Sequence, residues 1–112
     1  SAVIGKYPAK LDEKSRLFVP SKLRTELGDT FFVTRQLRSP LLTVYTAEEW
    51  KRLSDNYNAM SISQRSGATS LIFMNAAECS PDKQYRFSLT QFLLSYAGID
   101  REVMIVGRAG QA

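Results

Sequence analysis

Short apolar runs separated by polar turns dominate the chain and predict a fold rich in short strands. These runs, interpreted as strands, lie at residues 6–11, 16–19, 30–35, 41–45, 76–80, 86–89 and 103–106. Pro8 confines the first of them to a sheet edge, because proline has no N–H to donate to a neighbouring strand. Ser39 and Pro40 form a turn signal between the third and fourth runs, so these two runs predict a hairpin.

Helical signals lie between the strands. Helices are predicted over residues 21–27, 47–55 and 61–67, and from Thr90 to Ala97. The first of them ends at Gly28 and the last at Gly98, because glycine readily adopts the left-handed conformation that closes a helix. Thr46 and Glu49 have the spacing of a capping box, in which each side chain bonds the backbone N–H of the other residue.

Part of this pattern occurs twice. Residues 11–28 read LDEKSRLFVPSKLRTELG, and residues 81–98 read PDKQYRFSLTQFLLSYAG. At one offset of 70 residues the matches are Asp12 with Asp82, Arg16 with Arg86, Leu17 with Phe87, Val19 with Leu89, Leu23 with Leu93 and Gly28 with Gly98. The repeat predicts two similar units packed about a pseudo-twofold axis. It also presents a basic turn twice, which suits a repetitive polyanion better than a single small substrate.

Length and composition predict one small globular domain over residues 1–112, since 44% of the residues are hydrophobic and 23% are charged. We expect the first repeat over about 6–45, a helical insert over about 46–70 and the second repeat over about 71–108. No stretch approaches the roughly 18 apolar residues of a membrane-spanning helix, so we expect no membrane partner.

The composition leaves little room for catalysis. The chain has no histidine and a single cysteine, Cys79, so a Ser–His hydrolase is impossible and a zinc site is disfavoured. Because Cys79 has no partner for an intramolecular disulfide, we expect a cytoplasmic protein. We interpret Cys79 itself as a small buried residue. We therefore expect no enzyme, no metal site, no cofactor and no small-molecule substrate.

The net charge of +4 is compatible with nucleic acid, and its distribution is uneven. Residues 10–24 contain five basic and two acidic side chains, whereas residues 80–94 contain two basic and one acidic. Positive charge therefore gathers on the repeats, more strongly on the first.

The first copy resembles the repeat of the MraZ family of bacterial transcriptional regulators, within the AbrB-like swapped-hairpin superfamily. The family pattern is approximately L-D-x-K-G-R-φ-x-φ-P-x-x-φ-R, where φ is an apolar residue. Similar segments continue along the chain as IGKY, LTVYTAEEW, DKQYR and SYAGIDREVMIVG. The resemblance covers nearly the whole chain, in the order of the family.

The resemblance implies an α+β fold: a pseudo-twofold, double-repeat swapped-hairpin β-barrel with short helices and a helical insert between the halves. It implies a ring-like homo-oligomer, in the cytoplasm at the nucleoid, that binds double-stranded DNA at repeated promoter sites near cell-division and cell-wall genes. The DNA contacts implied by position are the basic residues of the two turns and their flanks: Lys10, Lys14, Arg16, Arg24, Lys83 and Arg86.

The chain departs from the family pattern in both turns. Ser15 and Tyr85 stand where the family has glycine. If that position has a positive φ, each side chain costs about 1 kcal/mol. In the second copy, Thr90 replaces the family's proline and Leu94 stands where the first copy has Arg24. We therefore expect weaker DNA contact from the second copy.

The arginines of the turns allow two interpretations. Arg16 and Arg86 each follow an aspartate by four residues, so an Asp–Arg bridge could simply fix the hairpin. An arginine in this position could also bind phosphate or guanine, and one side chain can do both.

Two other functions compete with a DNA-binding regulator. An oligomeric structural or protein-binding module with a decayed DNA-binding face is suggested by the loss of both turn glycines. An antitoxin-like DNA binder also fits the superfamily, but no obvious disordered segment for binding a toxin is visible.

Overall fold

The fold consists of two units with the same order of elements, separated by a helical segment. The computed structural model describes the backbone of residues 5–97 and 102–107 and the side-chain surroundings of residues 11–97. The strands are β1 (Gly5–Lys10), β2 (Arg16–Phe18), β3 (Phe31–Arg35), β4 (Leu42–Thr46), β5 (Ala77–Cys79), β6 (Arg86–Ser88) and β7 (Glu102–Gly107). The helices are α1 (Arg24–Leu27), α2 (Ala47–Ala59), α3 (Gly67–Met74) and α4 (Gln91–Tyr96), with 3-10 turns at Ser21–Leu23 and Ile62–Gln64. Gly98, the predicted end of the last helix, lies outside the described residues.

The two units exchange strands. β1, the first strand of one unit, pairs antiparallel with β7, the last strand of the other. In the same way β5, the first strand of the second unit, pairs antiparallel with β3, the last strand of the repeated pattern in the first. The β3–β4 hairpin joins these pairs, because β4 also runs parallel to β7. The two copies of the repeat are therefore intertwined through these strand pairs.

The strands form two sheets. The larger sheet has the order β1-β7-β4-β3-β5, with β1 at an edge as predicted. The smaller one, which we call the ribbon, is the antiparallel pair of β2 and β6. In the described part of the chain these sheets do not close into a barrel, because β2 and β6 pair with each other and not with the larger sheet. The mixed α and β class is confirmed, whereas the expected closed barrel is not seen.

The helix α2 begins where the sequence predicts and ends later. Thr46 Oγ1 accepts the N–H of Glu49 at 3.1 Å, and Glu49 Oε1 accepts the N–H of Thr46 at 2.9 Å, which completes the capping box. The helix continues past residue 55 to Ala59, because no glycine or proline stops it there.

The prediction of a helix over 61–67 is wrong for most of that segment. Only Ile62–Gln64 forms a helical turn, and the next α-helix begins at Gly67. Ser66 caps this helix by accepting the N–H of Thr69 at 3.0 Å, so helix α3 covers the apolar run that leads into the second repeat. None of the helices in the described residues is long and apolar enough to cross a membrane.

The inner face of the ribbon packs into the core. Leu17 and Phe87 are directly opposite each other across β2 and β6, and both are buried. The ring of Phe87 meets Phe31 of the larger sheet edge-on, with 5.1 Å between the ring centroids. The contact belongs to the same core as Leu93 of α4, so the orientation of the ribbon is fixed by packing against the larger sheet.

The insert is attached to the sheet by an aromatic cluster around Trp50. The ring centroid of Trp50 lies 5.1 Å from that of Phe32, 5.5 Å from that of Tyr45 and 5.0 Å from that of Phe73. Trp50 and Tyr45 therefore have a packing role. Helix α3 is tied to β3 by one further bond, in which Thr34 Oγ1 donates to the carbonyl of Ile72 at 2.6 Å.

Replacement of Thr34 by valine should destabilise the protein, because it leaves the Ile72 carbonyl without this donor at nearly constant side-chain volume. We expect a loss of about 1–3 kcal/mol in the free energy of unfolding, measured by urea denaturation. Thr43→Val is the matched control, since Thr43 is also buried and lies directly across from Thr34. Equal losses in the two variants would contradict a specific role for the Thr34 bond.

Candidate nucleic-acid interface

One aspartate organises the first turn. Asp12 Oδ1 accepts the N–H of Lys14 at 2.9 Å and the N–H of Arg16 at 2.8 Å. Its other oxygen, Oδ2, accepts Nε–H of Arg16 at 2.9 Å. The backbone closes the same loop, because the N–H of Asp12 donates to the carbonyl of Arg16 at 2.8 Å. The aspartate therefore fixes both the turn and the arginine that follows it.

The second turn repeats this arrangement bond for bond. Asp82 Oδ1 accepts the N–H of Gln84 at 2.8 Å and the N–H of Arg86 at 3.0 Å, and Oδ2 accepts Nε–H of Arg86 at 2.8 Å. The backbone N–H of Asp82 again donates to the carbonyl of Arg86, at 2.9 Å. The predicted Asp–Arg bridge is confirmed in both copies.

Both residues that stand where the family has glycine adopt a left-handed backbone conformation. Ser15 has φ 58° and Tyr85 has φ 63°, in the region that glycine occupies without penalty. The N–H of Ser15 donates to the Asp12 carbonyl at 3.0 Å, and the N–H of Tyr85 donates to the Asp82 carbonyl at 2.9 Å. The condition of a positive φ is therefore met at both positions, and the hydrogen bonds of both turns are retained despite the side chains.

The carboxylates of the turns are ionised at neutral pH. The backbone N–H of Arg16 is the main cause that lowers the pKa of Asp12 below its usual value, helped by the N–H of Lys14 and the Arg16 side chain. The pKa of Asp82 is lowered in the same way, first by the backbone N–H of Arg86 and then by its side chain.

The outer face of the ribbon presents both arginines. Arg16 lies opposite Ser88, and Phe18 lies opposite Arg86, while the inward residues Leu17 and Phe87 alternate with them. Arg16 and Arg86 are therefore diagonal neighbours on one face, roughly 7–8 Å apart by sheet geometry. Their side chains are 27% and 26% exposed, so both arginines lie partly at the surface.

The hydrogen bonds of these arginines leave their tips available. Within the described residues, Arg16 and Arg86 bond to their aspartates only through Nε. The terminal Nη groups are the donors that form paired hydrogen bonds with a phosphate or with the edge of a guanine. Since the aspartates already restrict the arginine rotamers, less entropy is lost on binding.

Arg24 belongs to the first copy in sequence but to the second turn in space. Its Nε donates to the carbonyl of Val19 at 3.1 Å, and its guanidinium lies 3.9 Å from the ring centroid of Tyr85. A backbone hydrogen bond also joins the end of β2 to the second turn, because the N–H of Val19 donates to the carbonyl of Tyr85 at 2.8 Å. The second turn, whose own copy has buried Leu94 at that position, thus has a cation supplied by the other repeat.

The other predicted contact residues lie near the turns. Lys14 and Lys83 are exposed within them. Lys10 falls at the end of β1, opposite Glu102 in the register, but its side chain is outside the described part of the structure. In contrast, Lys51 and Arg52 lie on the exposed face of α2, where they pair with Asp55 at 2.9 Å and with Glu48 at 3.3 Å.

Phe18 also lies on this surface, although the sequence did not predict it as a DNA-contact residue. Its exposure follows from strand alternation: Leu17 and Val19 are buried, so Phe18 shares the outer face with Arg16. That signal was present in the sequence Arg16-Leu17-Phe18-Val19.

Cys79 takes the predicted buried position on β5, and burial raises the pKa of its thiol to about 12.

Comparison with known proteins identifies relatives over nearly the whole chain. The family model described as "MraZ protein, putative antitoxin-like" matches residues 3–71 and 72–111, one match for each copy of the repeat. A protein of Halothermothrix orenii named "Transcriptional regulator MraZ" is 37% identical over 110 residues, which is 96% of this chain and 76% of the relative. The protein of the same name from Carboxydothermus hydrogenoformans is 39% identical over 106 residues, which is 93% of this chain and 73% of the relative.

Acid should weaken the fold through the two turns. Because the folded-state pKa values of Asp12 and Asp82 lie below the unfolded value near 3.8, their contribution is complete above that pH. It is lost as the pH falls through the lowered folded-state values. Urea unfolding from neutral pH to about 3 should therefore show a steeper acid loss for the wild type than for the variant with Asp12→Asn and Asp82→Asn. If the free energy of unfolding falls with acid equally in the wild type and the double variant, this role of the aspartates is contradicted.

Proposed function

The chain belongs to the MraZ family, and we propose that it is a sequence-specific DNA-binding transcriptional regulator acting at repeated promoter sites near cell-division and cell-wall genes. Its relatives carry the name of transcriptional regulators. The observation that supports DNA binding most directly is the outer face of the ribbon, where Arg16 and Arg86 are each held by an aspartate with their terminal nitrogens available.

A two-stranded antiparallel ribbon fits the DNA major groove, which is about 12 Å wide. Paired N–H groups of an arginine complement O6 and N7 of guanine, and each such pair contributes about 1–3 kcal/mol of discrimination. Two arginines on one face, restrained at a fixed separation, would read two nearby base pairs. We assign base recognition to Arg16 and Arg86.

The remaining basic residues would hold the DNA backbone. Lys14 and Lys83 are exposed in the turns, and Arg24 lies beside the second turn. Lysine and arginine contacts to phosphates set the register and orientation of a protein on the duplex without reading sequence. We assign this role to Lys10, Lys14, Arg24 and Lys83.

The swapped-hairpin arrangement of the superfamily, without a closed barrel in the described residues, is part of the same proposal. It is supported by the exchange of strands between the repeats, in which β1 pairs with β7 and β5 with β3.

A non-enzymatic regulator bound to DNA would be located in the cytoplasm, at the nucleoid.

The competing view, a protein-binding module with a decayed DNA face, loses its main support. It was motivated by the replacement of both turn glycines, yet Ser15 and Tyr85 adopt the left-handed conformation that those positions require. The turns also keep the same aspartate-centred hydrogen bonds.

We also propose that the protein assembles with itself into a ring-like homo-oligomer through helix α3 and the turn before it. Helix α3 is largely apolar but has no buried residue, and Met74 and Ile62 are 76% and 87% exposed. Exposed apolar side chains of this size favour contact with another protein surface. An assembly would also multiply weak DNA contacts through effective concentration.

Light scattering should therefore give a mass several times the 12.6 kDa of one chain, and Met74→Glu should lower it by placing charge in the contact. Lys51→Glu, on the exposed face of α2, serves as the control and should leave the mass unchanged. A wild-type protein that is monomeric at working concentration would contradict the assembly.

Loss of either ribbon arginine should weaken DNA binding without unfolding the protein. We expect Arg16→Ala and Arg86→Ala each to reduce affinity for a duplex from the upstream region of the protein's own gene by roughly 10- to 100-fold. The losses should be similar, because the two arginines have the same geometry and exposure. Arg16→Lys should also bind poorly, since lysine retains the charge but cannot form the paired contact.

The control is Arg52→Ala, which removes an arginine that pairs with Glu48 on α2. It should bind like the wild type in a fluorescence anisotropy titration. The folded state should persist in the ribbon variants, because Leu17 and Phe87 stay in the core and the backbone bonds to Asp12 and Asp82 remain. Folded Arg16→Ala and Arg86→Ala proteins with unchanged affinity would favour the protein-binding module.

A further inference from the structure

The two ends of the ribbon differ chemically in a way that the repeat alone does not show. Among the equivalent positions that differ are three pairs: Phe18 and Ser88, Tyr85 and Ser15, and Arg24 and Leu94. In each pair the aromatic or basic member lies at the same end of the ribbon.

Antiparallel pairing causes this segregation. It brings the end of β2 beside the turn that precedes β6, so Phe18 lies opposite Arg86, and the N–H of Val19 bonds the carbonyl of Tyr85. Arg24 then covers the Tyr85 ring from the helix that follows β2. We call the surface formed by Phe18, Tyr85, Arg86 and Arg24 the aromatic end.

Phe18 is the apolar centre of the proposed DNA-binding face. Its side chain is 46% exposed, whereas its strand neighbour Leu17 is fully buried. Arg16 precedes it by two residues on the same face, and Arg86 lies directly across from it. An apolar ring between two arginines is unfavourably placed for solvent but well placed against an apolar group on an otherwise polar, anionic partner.

We propose that Phe18 is a specificity-determining residue that contacts the C5-methyl group of a thymine in the major groove. This inference rests on the proposed DNA-binding function and adds an apolar contact to the arginine contacts. The thymine methyl is the one apolar group that the major-groove edge of a base pair presents, and phenylalanine is among the side chains that contact it.

The register of the ribbon also locates the thymine. Directly opposite residues in an antiparallel pair have Cβ atoms about 4.5–5.5 Å apart, and successive base pairs are about 3.4 Å apart. The thymine should therefore lie within about two base pairs of the base that Arg86 contacts. Ser88 occupies the equivalent position at the other end, so this apolar contact exists at one end only.

Tyr85 is a weaker candidate for the same contact. One face of its ring is covered by the Arg24 guanidinium at 3.9 Å, and it lies in the turn and not on the strand. Phe18 projects from the strand itself, beside the arginine that we assign to base recognition.

Deoxyuridine substitution tests the contact without altering the protein. A binding site is first selected by the wild type from duplexes with a randomised central segment. Each thymine of the site is then replaced singly by deoxyuridine, which removes only the methyl group. One position per subunit should lose about fourfold in affinity, which corresponds to the ~0.8 kcal/mol of one buried methyl group. Neutral replacement at every thymine would overturn the proposal.

The variant Phe18→Ser, which copies Ser88, assigns the effect to the residue. It should lose the discrimination between thymine and deoxyuridine at that one position and keep the preference at the positions assigned to the arginines. Phe92→Ser is the matched control, because Phe92 has the same 46% exposure but lies on α4. If Phe18→Ser keeps the methyl discrimination, or lowers the affinity for all duplexes equally together with the assembly mass, Phe18 does not read thymine.

Failure of this inference is distinguishable from failure of the proposed function. If the wild type selects no sequence from the randomised pool, the sequence-specific regulator itself is wrong. If it selects a sequence that depends on Arg16 and Arg86 but tolerates every deoxyuridine, only the role of Phe18 is wrong.

Discussion

The antiparallel pairing of β2 with β6 is the interaction on which the rest of the structure depends. It joins the two repeats at their centre, buries Leu17 and Phe87 on one face and presents Arg16 and Arg86 on the other. The pairing also brings the second turn beside residues of the first repeat, where the guanidinium of Arg24 lies on the ring of Tyr85. The side chains that meet on the surface of the ribbon therefore depend on which strand ends are paired and not on the sequence repeat alone.

In each turn, one aspartate holds one arginine in place. The carboxylate satisfies two backbone N–H groups and restrains the guanidinium through Nε, which stabilises a turn that includes a non-glycine residue with positive φ. The left-handed residue costs about 1 kcal/mol in each turn. Charge-assisted hydrogen bonds of this kind offset that cost and prepare the arginine for a charged or hydrogen-bonding partner.

Much of this arrangement could be predicted from the sequence, because it depends on local signals. The repeat, the capping box at Thr46 and the Asp–Arg spacing all identify features that the structure contains. The helix α3 was missed because the run that forms it is apolar and does not show its face by periodicity. The position of Arg24 beside the second turn could not be predicted either, because it depends on pairing between distant strands, which no local pattern specifies.

The central claim is that this basic face binds DNA, with sequence read by the ribbon and affinity supported by phosphate contacts. A titration of affinity against salt concentration, with the selected duplex and a scrambled duplex of equal length, tests it directly. Each phosphate contact should contribute a slope of about −0.9 in a plot of log affinity against log salt concentration. We predict a steep slope for both duplexes and tighter binding of the selected one at every salt concentration. Equal affinity for the two duplexes, or an affinity that does not change with salt, would contradict the account.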